Sequence, residues 1–326
     1  GQRWVCLCPS YVYLPILERL DQQPTVSPLR LGSRLKRHSY ILVPLTGLVV
    51  TFVVSISMGA YDARKCKQGV PMTQNKHNAA ILGGGSFGTA MASILAANGH
   101  SVNLWVRDPE TAAAINIDRE NSRYLPGAEL PEGVTATDNL EEALTHASMV
   151  FVAIPSKAFA EVLEQARQWV PDDTLVISCT KGIYAEGFLL MSELLHQYWP
   201  HTRIGVLSGP NLAKEVVEQK FTGTVIASPD EQLRQTVQDA LSCDYFRVYD
   251  NPDIYGVELG GALKNIYAVA SGMAAAIGVG ENSRSFLITR ALAEMSRFAV
   301  ELGANPMTFL GLSGVGDLIA LSLIHI

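Results

Sequence analysis

From Asn78 onward, short apolar runs alternate with segments whose apolar residues recur every three to four positions. The runs at 79–82, 101–106, 149–154, 174–178, 203–207, 222–227 and 246–249 predict strands, and 89–98, 156–169, 187–198 and 231–241 have helical length and spacing. Pro155, Pro171, Pro200 and Pro229 fall at element ends, where a missing backbone donor costs least. This alternation argues for an α/β fold with a parallel sheet covered by helices on both faces. After Pro252 the pattern changes to Ala- and Leu-rich stretches such as 262–276 and 290–302, with few strand-like runs. The expected organisation is therefore a sheet domain over 72–252, followed by the start of an all-α second domain over 253–320.

The first 71 residues follow a different pattern. Residues 40–58 are almost uninterruptedly apolar, with Arg34, Lys36 and Arg37 before them and Arg64, Lys65 and Lys67 after, as in a membrane-spanning or signal-like segment. Pro44 and Gly47 break that run, the chain begins with Gly, and Met72 opens a polar lead suited to a first strand. Residues 1–71 are accordingly expected to be an upstream extension that the working protein lacks, with no stable membrane association of the body. Leu321-Ser-Leu-Ile-His-Ile326 is expected to be a foreign tail.

At 326 residues, 48% apolar and 17% charged, the chain has room for two domains and a sizeable core. A net charge of -6, with no Lys/Arg cluster in the body, gives no footprint for nucleic acid. Cys6, Cys8 and Cys66 lie in the N-terminal stretch, leaving Cys179 and Cys243 without ligand-like spacing. That usage suits a reducing cytosol and predicts no structural metal.

Five segments carry chemistry. Gly83-Gly84-Gly85-Ser86-Phe87-Gly88 fits G-x-G-x-x-G between an apolar strand and an Ala-rich helix, the context of a Rossmann-type, doubly wound dinucleotide site. There Gly83 permits the turn, Gly85 admits the pyrophosphate to the main chain, and Gly88 lets helix and strand pack closely. Arg107, at the end of the second strand, can pair a 2′-phosphate and favours NADP, whereas the neighbouring Asp108 keeps NAD open. Lys181, in Ser178-Cys-Thr-Lys181-Gly182, ends a strand at the sheet edge where ligands bind in such folds; its plain alternative is a solvated loop lysine. Ser208-Gly209-Pro210-Asn211-Leu-Ala213 opens a helix with free amides, or is simply a Pro-initiated helix. Lys264, in Leu259-Gly-Gly-Ala-Leu-Lys264-Asn265, is surrounded by residues that cannot solvate an ammonium, so it is paired, catalytic or snorkelling. Asp317, in Gly314-Val-Gly316-Asp317-Leu318, could accept a bond from Lys264, or cap a helix. Arg290 and Arg297, seven apart, read as a solvated helix face.

In this order the five segments resemble the NAD(P)-dependent glycerol-3-phosphate dehydrogenases of the bacterial type, over about Asn78 to Ile319. The resemblance implies hydride transfer between glycerone phosphate and sn-glycerol 3-phosphate, a precursor of glycerophospholipids, in the cytoplasm, with a second copy of the chain as a candidate partner. It assigns Lys264 the acid/base role, Asp317 to the active site, and Lys181 to both cofactor and substrate. It places Gly209 and Asn211 at the substrate, and Ser86, Phe87, Arg107 and Ala213 at the cofactor. The family continues past its Gly-Val-Gly-Asp-Leu segment with a Thr-rich stretch and an Arg-Asn pair that holds the substrate phosphate; here residues 320–326 stand in that place. Two rival readings are a β-hydroxyacid dehydrogenase, which shares an active-site lysine followed by Asn, and an inactive dinucleotide-binding fragment. The Ser-Gly-Pro-Asn and Gly-Val-Gly-Asp-Leu segments favour the first reading over the β-hydroxyacid dehydrogenase.

Overall fold

The computed structural model describes residues 39–45, 48–54 and 76–323. Much of the 1–71 extension, including Cys6, Cys8 and Cys66, lies outside the described residues, as does the end of the 321–326 tail. Within the apolar run 40–58, the pattern of a membrane-spanning segment gives way to two antiparallel strands, Ser39–Leu45 and Leu48–Val54, with Val43 opposite Val50. Their β-branched content (Ile41, Val43, Val49, Val50, Thr51, Val53, Val54) suits a strand better than a helix. No helix among the described residues is long and apolar enough to cross a membrane.

The body is built on an eight-stranded sheet. Its strands are β1 (Asn78–Leu82), β2 (Ser101–Trp105), β3 (Val134–Thr137), β4 (Met149–Val152), β5 (Leu175–Ser178), β8 (Arg203–Ser208), β9 (Thr222–Ala227) and β10 (Phe246–Asn251). They lie in the order β10-β9-β8-β5-β4-β1-β2-β3. The central strands β4 and β5 are buried along their whole length, which is why their sequences are continuous apolar runs rather than alternating ones. Two apolar clusters, one centred on Ile81, Leu104 and Phe151 and one on Leu82, Val150 and Phe159, occupy the two faces.

The helices α1 (Ser86–Ala97), α2 (Pro109–Asp118), α3 (Leu140–Leu144), α4 (Ser156–Ala166), α5 (Met191–Tyr198), α6 (Ala213–Val217) and α7 (Glu231–Leu241) connect the strands. Each predicted strand is present. Edge strand β3 and helices α2 and α3 escaped the sequence pattern because they are short, and α2 buries only Ala112 and Ile115. The helix expected from residue 187 begins at Met191, because Leu189–Leu190 (β7) pairs instead with Ile183–Tyr184 (β6) in a small hairpin.

One pairing departs from the expected all-parallel sheet: β8 and β9 run antiparallel. Residues 209–221, which include the five-residue α6, return the chain beside β8 in the opposite direction. The two long helices expected after Pro252 are α8 (Ile254–Ala276) and α9 (Glu281–Glu301), followed by a 3₁₀ turn, a π turn over Leu312–Gly316 and α10 (Asp317–Leu323). Asp253 caps α8 through Gly256 N at 2.9 Å and also accepts from Asn305 N at 2.9 Å and Thr308 Oγ1 at 2.6 Å. One carboxylate thereby ties the start of α8 to the segment that leads to Asp317.

Candidate active site

From β1 the chain runs out to β2 and β3, then crosses back to β4 on the other side of β1. Connections leaving in opposite directions open a crevice at the carboxyl ends of these strands. A cleft of about 350 Å³ lies there, lined by Phe87, Ile154, Pro155, Ser156, Lys181 and Asn211 among others.

The glycine loop forms one wall. Gly83 has φ +119°, and a Cβ there would meet the Ala153 carbonyl; a Cβ at Gly88 would meet the Gly83 carbonyl. The protein's own packing therefore requires these two glycines. Gly85 differs, because a Cβ there would find nothing within 4 Å. Its bare backbone faces open space at the start of α1, whose first turn carries neither a side-chain cap nor an acidic residue. Free helix N-terminal amides beneath an open approach fit the pyrophosphate of a dinucleotide. Ser86 Oγ donates to Tyr124 O at 2.6 Å, and buried Asn121 Nδ2 donates to Gly84 O and Thr89 Oγ1 at 2.8 Å each, pinning the loop from below.

The opposite side carries the charges. Gly260 and Gly261 let α8 approach closely: a Cβ at Gly261 would stand 2.8 Å from Ser208 Oγ, and one at Gly260 3.1 Å from Ser313 O. That approach delivers Lys264, 2% exposed, to the carboxyl edge of the sheet. Lys181 Nζ lies 2.7 Å from Asp317 Oδ2 and donates to Gly209 O at 3.1 Å. Lys264 Nζ contacts the same Asp317 oxygen. One buried carboxylate thus serves two ammoniums, the second of which, Lys181, is 28% exposed toward the cleft. Burial, reinforced by the Lys181 charge and opposed by Asp317, pushes the Lys264 ammonium down to about 8.

Asn211 donates from Nδ2 to Thr224 Oγ1 at 2.8 Å, and that hydroxyl in turn donates to Ser208 O at 3.2 Å. This fixes the amide of a cleft-lining residue with its Oδ1 buried and unpaired. Gly209 adopts φ +156° with its would-be Cβ 3.1 Å from Thr224 Cα.

The structure therefore brings Lys181, Lys264, Asp317, Gly209 and Asn211 into one cluster beside Phe87. Arg107 and Ala213 stand apart from it: Arg107 is exposed beyond β2, and Ala213 starts α6, half-buried against the sheet core. Sequence reasoning missed Ser156 and Thr180. Thr180 Oγ1 donates to Ile154 O at 2.7 Å and Val152 O at 3.2 Å, tying the ends of β4 and β5 together. Ile154-Pro155-Ser156 was readable as a strand-to-helix turn at the sheet centre. Asn121 offered no local signal, since its partners lie 32 and 37 positions away. Burial pushes the Cys179 thiol up to about 12, so this residue lines the cleft as a protonated apolar group.

The profile of the family "NAD-dependent glycerol-3-phosphate dehydrogenase N-terminus" matches residues 78–234, and that of its C-terminus matches 253–323. A glycerol-3-phosphate dehydrogenase (NAD(P)+) of Alcanivorax borkumensis is 94% identical over 249 residues, covering 76% of this chain and 73% of that protein. Its counterpart in Pseudomonas paraeruginosa is 58% identical over 240 residues, 74% of this chain and 70% of that one. Among solved structures, glycerol-3-phosphate dehydrogenase from Coxiella burnetii superposes with a TM-score of 0.73 at 36% identity, covering 76% of each chain. Loop, lysine pair and bridging aspartate thus occur in a sequence whose relatives agree from strand β1 to helix α10, and the chain belongs to the NAD(P)-dependent glycerol-3-phosphate dehydrogenases.

Proposed function

We propose that this chain interconverts glycerone phosphate and sn-glycerol 3-phosphate, with Lys264 as the acid/base group. The observation that carries the assignment of Lys264 is its buried ammonium, moved down to about 8 and sharing Asp317 with the cleft-lining Lys181. Bound NAD(P)(H) supplies or removes the hydride. As the carbonyl carbon gains a hydride, its oxygen gains negative charge, and Lys264 donates the proton that completes the alcohol. In the reverse direction neutral Lys264 takes that proton. Lys181 stabilises the developing oxyanion and the anionic substrate, while Asp317 holds both ammoniums in register. Asn211 Oδ1 accepts from a substrate hydroxyl.

The two directions need Lys264 in opposite states, so their pH profiles should be mirror images. Carbonyl reduction is expected to fall as pH rises through about 8, and alcohol oxidation to rise through the same value. Initial rates in both directions between pH 6 and 10 check this, and profiles that move together would sink the assignment.

The glycine loop gives a second test. Gly85→Ala places its Cβ in open space, so stability should change by less than about 1 kcal/mol. Dinucleotide affinity should nevertheless fall by about 1.5–3 kcal/mol, through lost amide bonds to the pyrophosphate. Thermal unfolding and fluorescence titration with NADPH separate the two effects; equal losses in both would show that Gly85 serves packing alone.

NADP is favoured over NAD. Arg107 is exposed and forms no ion pair among the described residues, whereas Asp108 already accepts from Thr111 Oγ1 at 2.5 Å and faces Arg123 at 3.9 Å. The free guanidinium suits a 2′-phosphate better than the engaged carboxylate suits a 2′-hydroxyl. The product sn-glycerol 3-phosphate is the alcohol on which glycerophospholipids are built, and the reading places its supply in the cytoplasm.

A further inference from the structure

Glu258 is a buried carboxylate with no part in the proton transfer. It lies on the second turn of α8, 3% exposed, and accepts from Ser192 N at 3.0 Å and from Ser192 Oγ at 2.5 Å. Ser192 is the second residue of α5, whose N-cap position is Leu190, a side chain with no acceptor atom. The first-turn amides of a helix require an acceptor, and here it arrives from α8, 66 positions further along the chain. Leu190 and Leu259 belong to one apolar cluster, so packing backs the polar contact.

The two elements joined in this way are the two that carry the lysines. Lys181 leads through Gly182 and the β6/β7 hairpin directly into α5, and Lys264 follows Glu258 on α8. Asp317 bridges the lysine heads; Glu258 bridges the backbones behind them. The charge facing Glu258 is Glu193 on the first turn of α5, and those facing Lys264 are Lys181 and Asp317. Burial holds the Glu258 carboxyl up to about 7 against the opposing bonds from Ser192.

We propose that Glu258 is a positioning residue that fixes α8 against the Lys181-bearing segment and so sets the spacing between the two ammoniums. The inference rests on Lys264 being the acid/base group. Burial lowers the pKa of Lys264 first and the Lys181 charge second, and the latter effect weakens with distance. A loosened α8 admits water and draws the ammoniums apart, and both changes move Lys264 back toward the ordinary lysine value.

Selective ¹³C labelling of lysine ε-carbons in the full chain, with the Lys264 signal assigned by its loss in Lys264→Ala, reads this titration directly. In Glu258→Ala the Lys264 midpoint should rise by about half a unit or more, with NADPH affinity held within about twofold. Glu258→Gln should restore the midpoint, because its amide oxygen still accepts from Ser192 N and its NH₂ can donate to the hydroxyl. Ser192→Ala should shift it in the same direction by less, and it decides the matter by the same criterion if Glu258→Ala does not fold. An unmoved midpoint in Glu258→Ala overturns the proposal. So does a fall in both Glu258→Ala and Glu258→Gln, which is what loss of a nearby negative charge alone would give. Undiminished turnover by Lys264→Ala would sink the acid/base reading instead, and the two failures are told apart by which variant stays silent.

Discussion

Lys264→Ala is expected to slow the interconversion of glycerone phosphate and sn-glycerol 3-phosphate by about a hundredfold to ten-thousandfold, the usual contribution of a positioned acid or base. The loss should fall on kcat and kcat/KM together, because the proton is transferred only as the oxyanion develops. Dinucleotide affinity should hardly change: the glycine loop and the start of α1 stand on the other wall of the cleft, and their contacts run to Ala153, Asn121 and Tyr124 rather than to α8. The residual rate should also lose the pH step near 8 that Lys264 imposes. Steady-state NADPH oxidation and fluorescence titration on the same preparation measure both quantities. A variant that kept its pH step would place the titrating group elsewhere.

Asp317→Asn should be the most destabilising substitution in the site. It removes the carboxylate that both Lys181 and Lys264 contact and leaves the buried Lys264 ammonium beside another with no counter-charge. Breaking a buried ion pair from one side costs about 3–5 kcal/mol. Lys264 can escape part of that cost by releasing its proton, since the Asp317 attraction is what opposes burial and the Lys181 charge. Its midpoint should therefore drop below the present value of about 8.

The sign of the stability effect follows. A lysine whose folded midpoint lies below its unfolded one is destabilising in full at pH below the folded value, and the penalty fades as pH rises toward the unfolded value near 10.5. The deficit of Asp317→Asn relative to the parent should accordingly be larger at pH 6 than at pH 9. Urea unfolding at the two pH values checks it, and a deficit independent of pH would mean that the aspartate serves packing rather than charge. In catalysis, reduction at neutral pH should suffer more than oxidation, because Lys264 would already be neutral.

Much of this was legible in the chain. Continuous apolar runs such as Met149–Val152 mark strands buried on both faces, and a glycine loop between β1 and α1 can be read from local order because its chemistry is backbone chemistry. Lys264 stood out because its neighbours cannot solvate it, and Lys181, Gly209, Asn211 and Asp317 because each lies in a recognisable segment. The pattern went wrong where packing overrules local preference: the hairpin at 183–190 displaced the start of a helix, and β9 pairs antiparallel with β8.

What only the tertiary structure decided is which groups share a charge. Sequence order cannot reveal that Lys181, 136 positions from Asp317, competes with Lys264 for one carboxylate oxygen. Nor can it reveal that a Cβ at Gly83 or Gly88 would meet the protein's own carbonyls while one at Gly85 would meet nothing. Glu258 in the sequence is one more acid in a helix, and only the fold buries it against the first turn of α5. Backbone propensity and apolar periodicity act between near neighbours and survive in the one-dimensional record. Desolvation and Coulomb interaction depend on distance through space, and the fold alone sets that distance.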